Sequence, residues 1–320
     1  MNLSILTILS LILFSCSHIP AGLSKPKAAL PKELQEKYSY KSSARVISVT
    51  SIKSSRVYDA RLITLDKVKN IFEPAKPHRI DIEHYQPSGI KKAPVVIVMP
   101  ILGGSYHIAR HFAKYFAKHG FAAVFVHRQK KYRRIERFEK LDLSLEQMII
   151  DHKQVIDWVM QQDEFEHDKI AAFGFSMGGI KCALLSAMDT RIKASIIGMA
   201  GANIPEILYK SKEPAIKKQR IKFLKRYELS KADYLDRLKE SIHCDPLNYA
   251  KYISAENTLM ILAKYDRYVP YKNGVLLRSL IGEPETIYLY SGHLSAALSI
   301  PYIQRQSVDF LKRKLMLSQD

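Results

Sequence analysis

The chain has 320 residues, 47% of them apolar and 25% charged, which excludes a disordered or fibrous protein and leaves room for a large core. Fifty Lys and Arg against 31 Asp and Glu give a formal charge of +19, a surface suited to anionic partners. Three cysteines in this length exclude a disulfide scaffold.

No Lys, Arg, Asp or Glu precedes Lys25, and "LSILTILSLILF" (3–14) is an uncharged, mostly apolar run. Twelve residues fall short of the ~20 needed to cross a bilayer but suit the core of a secretory signal peptide. Leu13-Phe14-Ser15-Cys16 follows and resembles the lipobox of bacterial lipoproteins, in which the cysteine is lipidated and becomes the new N-terminus. That resemblance implies a signal peptide over 1–15, a lipid on Cys16, and a place in the bacterial cell envelope. Ser17, rather than Asp, favours the outer membrane or periplasmic face. An ordinary signal peptide cut slightly later gives a secreted or periplasmic protein instead. Residues 16–43 mix Pro, Ser, Lys and Ala without periodicity and are expected to be a tether ahead of a domain over 44–320.

Within that domain "ARVISVTSI" and "HRIDIEHYQP" alternate as half-buried strands do, whereas "APVVIVMP" (93–100) is a continuous β-branched run, expected to be buried on both faces. A helix is predicted through "YHIARHFAKYFAKH", capped by Ser105 and stopped at Gly120. "FAAVFVH" is the next strand. Ser144 and Gln147 form a capping-box pattern ahead of a helix whose apolar face includes Leu145, Met148, Ile149 and Ile156. On that face His152 reads as a core residue. Strands follow at "KIAAFGF", "KASIIGMAG", "TLMILAKY" and "ETIYLY", alternating with helices, and repeated βα units imply a mostly parallel sheet covered on both faces. Residues 203–250 carry no strand signal. They are expected to form amphipathic helices, one opened by Ser230 and Asp233, inserted as a helical lid with Ile221, Leu224 and Leu238 beneath and a cationic exterior.

"FGFSMGG" (173–179) joins an apolar strand to an apolar helix and contains Gly174-Phe175-Ser176-Met177-Gly178, the G-x-S-x-G pattern in strand–turn–helix context. Such a turn points a serine hydroxyl out of the sheet. The hydroxyl needs a base, and the base an orienting acid. Asp266 lies just past one later strand and His293 just past the last, in the order Ser, Asp, His. With "DRYVP" and "SGH" around them, these motifs resemble the α/β-hydrolase family from about Ala44 to the C-terminus.

The resemblance implies Ser176 as nucleophile, His293 as base and Asp266 as orienting acid. It implies an oxyanion hole from the amides of Met177 and, in the loop Pro100-Ile101-Leu102-Gly103-Gly104, of Leu102 or a neighbour. No cofactor or metal is expected, since His107, His111, His119 and His127 have no ligand spacing. Cys182 reads as a small buried hydrophobe, and its pairing with Cys244 is left open, as is the oligomeric state. The expected activity is hydrolysis of an ester or related acyl bond, carboxylesterase-, lipase- or thioesterase-like, on a small-molecule or lipid-derived substrate. The membrane is reached through Cys16 and the basic lid, and nucleic acid is not expected. The alternative is a catalytically silent hydrolase-fold binding or scaffolding lipoprotein.

Overall fold

In the computed structural model, which describes residues 16–22, 26–41, 44–66, 68–103, 106–129 and 135–316, ten strands form one mixed sheet. They are β1 (Cys16–Ile19), β2 (Arg45–Ser54), β3 (Tyr58–Asp66), β4 (Ile80–Pro87), β5 (Ala93–Met99), β6 (Ala122–Val126), β7 (Phe165–Phe175), β8 (Ile192–Gly198), β9 (Thr258–Ala263) and β10 (Glu285–Leu289). Across the sheet the order is β1-β10-β9-β8-β7-β5-β6-β4-β3-β2. From β10 to β6 the pairings are parallel, and β1, β4, β3 and β2 join antiparallel at the two sides. The leader expected over 1–15 and the expected Ser105 cap lie outside the described residues.

β5 is buried at every residue, as a run without alternation requires when both faces are covered. Val95 and Ile97 enter one apolar layer with helices Glu139–Val159 and Met177–Met188. Val96 and Val98 enter the other, with helices His107–Lys118 and Ile300–Leu311. This is the expected α/β architecture, helices on both faces of a mostly parallel central sheet.

Three expectations change in detail. The helix expected to begin at Ser144 starts at Glu139, because Ser144 is buried and its hydroxyl donates to the Leu141 carbonyl rather than capping. Gln147 receives the amides of Ile71 and Phe72 and donates to the Lys69 carbonyl, holding the loop after β3. The stretch 16–43 expected as a tether is partly built into the domain. Its β1 pairs with β10, the Gly22 and Ala28 amides donate to the Glu283 and Lys251 carbonyls, and Tyr38 is fully buried with its hydroxyl on Cys244 Sγ.

The third concerns the insertion. Helices Ile204–Lys210, Pro214–Arg226 and Lys231–Ser241 are present, the last opened by the expected Ser230/Asp233 capping box. Their apolar faces turn to the body of the domain. Phe223 and Tyr234 meet the ring of Phe138 at 4.6 and 6.0 Å, and Leu238 joins the same core. Ile221 instead faces solvent. Phe223, Tyr234 and Leu238 of the amphipathic stripe thus meet Phe138 and the core around it.

Candidate active site

β7 ends at Phe175 and the helix Met177–Met188 begins two residues later, so the chain must reverse within one residue. Ser176 makes that turn at φ 55°, ψ −123°, a conformation that costs a side-chain-bearing residue on the order of 1–3 kcal/mol. The surroundings hold it there. The Ser176 amide donates to the Gly198 carbonyl at 2.8 Å, and the following helix packs hard against the neighbouring strands. A Cβ on Gly174 would lie 2.2 Å from the Gly178 carbonyl oxygen, and one on Gly178 would lie 2.3 Å from that of Met99. Only glycine lets the helix start approach the end of β5 this closely. Although Ser176 sits at the N-cap, its hydroxyl does not cap the helix, which leaves it for chemistry.

The other two residues come from loops at the same, C-terminal, end of the parallel strands. Asp266 is nearly buried after β9. One carboxylate oxygen accepts the amides of Tyr268 (2.8 Å) and Val269 (3.0 Å). The other oxygen is 2.7 Å from His293 Nδ1. An ionised carboxylate only accepts, so Nδ1 carries the proton and Nε2 keeps its lone pair. The ring of Tyr268 lies 4.9 Å from that of His293, and the two loops are tied by the Tyr265 amide on the Ser291 carbonyl. Ser176 and His293 face one cavity of about 140 Å³ whose remaining wall is apolar, including Ile101, Phe112, Phe175, Met199 and Ile300.

Met177 is the first residue of its helix, where N–H groups have no partner within the helix. Ile101 lines the cavity and Leu102 follows it. A residue that the sequence reading passed over fixes this loop. Arg128, just past β6, donates from Nη1 to the carbonyls of Ile101 (2.9 Å) and Gly103 (2.5 Å), and its guanidinium lies 4.5 Å from the Tyr106 ring. β6 flanks β5 on the side away from β7. In a trans peptide the Leu102 N–H points opposite to the Ile101 carbonyl, so the Arg128 contact fixes the direction of that amide. The signal was a cation two residues beyond a strand adjoining the loop.

Other sequence candidates fall elsewhere. None of the described residues of 203–250 lines the Ser176 cavity. Cys16 is half-buried in β1, opposite Leu289. Cys182 and Cys244 are buried thiols, both pushed up by burial, Cys182 to about 12. His152 is a core residue whose pKa burial lowers to about 4. Among the described residues no group of three or more His, Cys, Asp and Glu is placed to hold a metal. A larger cavity of about 500 Å³ opens at the opposite end of the sheet, lined by Lys27, Lys193 and Thr258 among others, far from this machinery.

The family model for X-Pro dipeptidyl-peptidase (S15 family) matches residues 77–269, a span that includes Ser176 and Asp266. Acetyl xylan esterase from Paenibacillus sp. R4 superposes with a TM-score of 0.69 at 16% identity, covering 98% of this chain and 100% of that one. Acetyl xylan esterase 1 from Thermoanaerobacterium sp. JW/SL YS485 gives 0.60 at 16% identity, over 90% and 99%. The acylaminoacyl peptidase of Pyrococcus horikoshii gives 0.60 at 16%, over 82% of this chain and 43% of that one. At these identities the likeness is one of fold. No curated protein matches the sequence.

Proposed function

Since the chain belongs to the X-Pro dipeptidyl-peptidase (S15) family and is a hydrolase of α/β-hydrolase fold, we propose that it is a serine esterase acting on short acyl groups through Ser176, His293 and Asp266. The observation that carries this reading is a strained serine and an Asp-oriented histidine facing one apolar cavity. Ser176 Oγ attacks the acyl carbonyl while His293 Nε2 takes its proton. The oxyanion is held by the amides of Met177 and Leu102. Collapse returns the proton to the departing alcohol and leaves an acyl-enzyme. Water, deprotonated by His293, then releases the acid and regenerates Ser176. Each amide aimed at the oxyanion is worth about 10²–10³ in kcat.

The cavity argues for an ester rather than for dipeptide release. A dipeptidyl substrate brings a cationic α-amino group, which needs a nearby anion, and no described residue of the cavity wall is acidic. A volume of about 140 Å³ is close to that of an apolar cavity able to hold benzene (about 150 Å³), so acyl groups of roughly two to six carbons should fit. Across p-nitrophenyl esters of rising length, kcat/KM should peak in that range and fall for decanoate. A maximum at long chains, or faster cleavage of X-Pro amides, would overturn the assignment.

Arg128 is a positioning residue in this scheme. Arg128→Met should lower kcat about 10- to 100-fold with KM little changed, because the oxyanion amide is used in the transition state. Lysine should rescue poorly, since an ammonium loses the guanidinium's stacking on the Tyr106 ring. A KM effect alone would mean that Arg128 serves binding instead.

The proposed setting is the bacterial envelope, with the lipid on Cys16 supported by the apolar run that ends there.

A further inference from the structure

The cavity mouth carries more exposed apolar surface than an isolated soluble site needs. Leu294, next to His293, is 70% exposed; Leu298, in the short turn Ser295–Ser299, is 73% exposed; and Tyr265, next to Asp266, is 65% exposed. Ile108 and Tyr290 are exposed beside them. Leu294 and Ile108 line the cavity itself, Leu298 lies in the turn that feeds the lining residue Ile300, and Tyr265 is bound to the His293 loop through Ser291. Leucines that stand out around an active-site opening mark a surface that something covers.

The position of β1 says what covers it. β1 runs antiparallel to β10, so the pairing of Cys16 with Leu289 places Cys16 at the C-terminal end of β10, the end from which the His293 loop leaves. Cys16 packs in the same apolar layer as Tyr302, which shares a helix with the cavity-lining Ile300 and Ile303. A lipid on Cys16 therefore joins the domain at the rim of this patch rather than through a long tether. Basic–aromatic pairs stand around it. Lys264 Nζ lies 4.6 Å from the Tyr290 ring, and the Arg305 guanidinium lies 6.0 Å from the Tyr302 ring. Tyrosines with cations at the margin of an apolar surface suit the headgroup layer of a bilayer.

We propose that the cavity mouth is a bilayer-docking face: Leu294, Leu298 and Tyr265 enter the headgroup region of an anionic membrane, and Cys16 holds the opening of the Ser176 cavity against it. The inference rests on the envelope reading above for the side from which the membrane approaches. It deepens the substrate class to short-acyl esters that partition to an interface.

The test uses the mature chain, residues 16–320, with Cys16→Ser, so that neither the apolar run 3–14 nor a lipid anchors it. A single exposed cysteine (Cys182 and Cys244 are buried) carries an environment-sensitive dye and is placed by Leu298→Cys, or by Lys193→Cys at the opposite end of the sheet. Vesicles of seven parts phosphatidylcholine to three parts phosphatidylglycerol carry nitroxide lipids. A docked residue sits about 5–10 Å into the interface, so the dye at 298 should be quenched roughly threefold or more over that at 193. The contrast should shrink at 1 M salt, where the Debye length falls to about 3 Å. Equal quenching at both positions, stronger quenching at 193, or none at either overturns the proposal. Hydrolysis of p-nitrophenyl butyrate by the same protein in vesicle-free buffer reports the esterase reading separately. Docking without hydrolysis sinks that reading alone, and hydrolysis without docking sinks this one alone.

Discussion

Ser176→Ala should lower kcat by roughly 10⁵–10⁶-fold while leaving KM and the melting temperature close to those of the parent. The size follows from the division of labour. Without the hydroxyl no acyl-enzyme forms, so His293, Asp266 and the Met177 and Leu102 amides are left with only water to activate. The fold should hold because what keeps residue 176 at φ 55° is the backbone bond to Gly198 and the close helix packing, neither of which uses Oγ. Steady-state kinetics with a p-nitrophenyl ester, beside a thermal melt, checks both halves. Retained turnover would remove Ser176 from the chemistry. A collapsed melt would show that the hydroxyl supports the fold.

Asp266→Asn should cost about 10⁴-fold in kcat near neutral pH, through the histidine rather than through charge at a distance. The Asp266 oxygen that accepts the Tyr268 and Val269 amides would remain an oxygen in asparagine, because only an acceptor satisfies two N–H donors. That bond pattern forces the amide NH₂ toward His293 Nδ1. Nδ1 must then accept, the ring proton moves to Nε2, and Nε2 no longer takes the proton of Ser176. Asp266→Ala should lose comparable activity but also about 1–3 kcal/mol of stability, since two backbone amides lose their acceptor. Kinetics and melts of the two variants separate these effects. Equal stability losses would mean that the loop does not depend on the carboxylate as a turn-former.

Much of the central sheet was legible because its strands are buried on both faces and written as continuous apolar runs, with "APVVIVM" and "KIAAFGF" the plainest. The serine turn was legible for a steric reason: two places either side of Ser176 a Cβ would lie 2.2 and 2.3 Å from a backbone carbonyl oxygen, so both positions demand glycine. What escaped depends on contacts between distant segments. β1 is four residues long, too short for alternation to show, and exists because β10 offers it an open edge. β3 was unread, though its burial alternates along Ile63, Leu65 and their neighbours. The insertion displays the amphipathic pattern of a lid, but pattern alone does not say which apolar surface it meets, and Phe138 supplies one away from the cavity. In the sequence Arg128 is one of seven cations in "HRQKKYRRIERFEK" (127–140), with nothing to set it apart. Its role follows only from the strand order that sets β6 beside β5.

The most direct test of the central claim is to trap the acyl-enzyme. The protein is mixed with excess p-nitrophenyl butyrate, quenched in acid within the first turnovers, digested with trypsin and read by mass spectrometry. The account predicts a butyryl adduct on the peptide IAAFGFSMGGIK (170–181), whose one serine is Ser176, formed with a burst of p-nitrophenol and absent from Ser176→Ala. An adduct on another residue, or full turnover with no acylated protein, would contradict it.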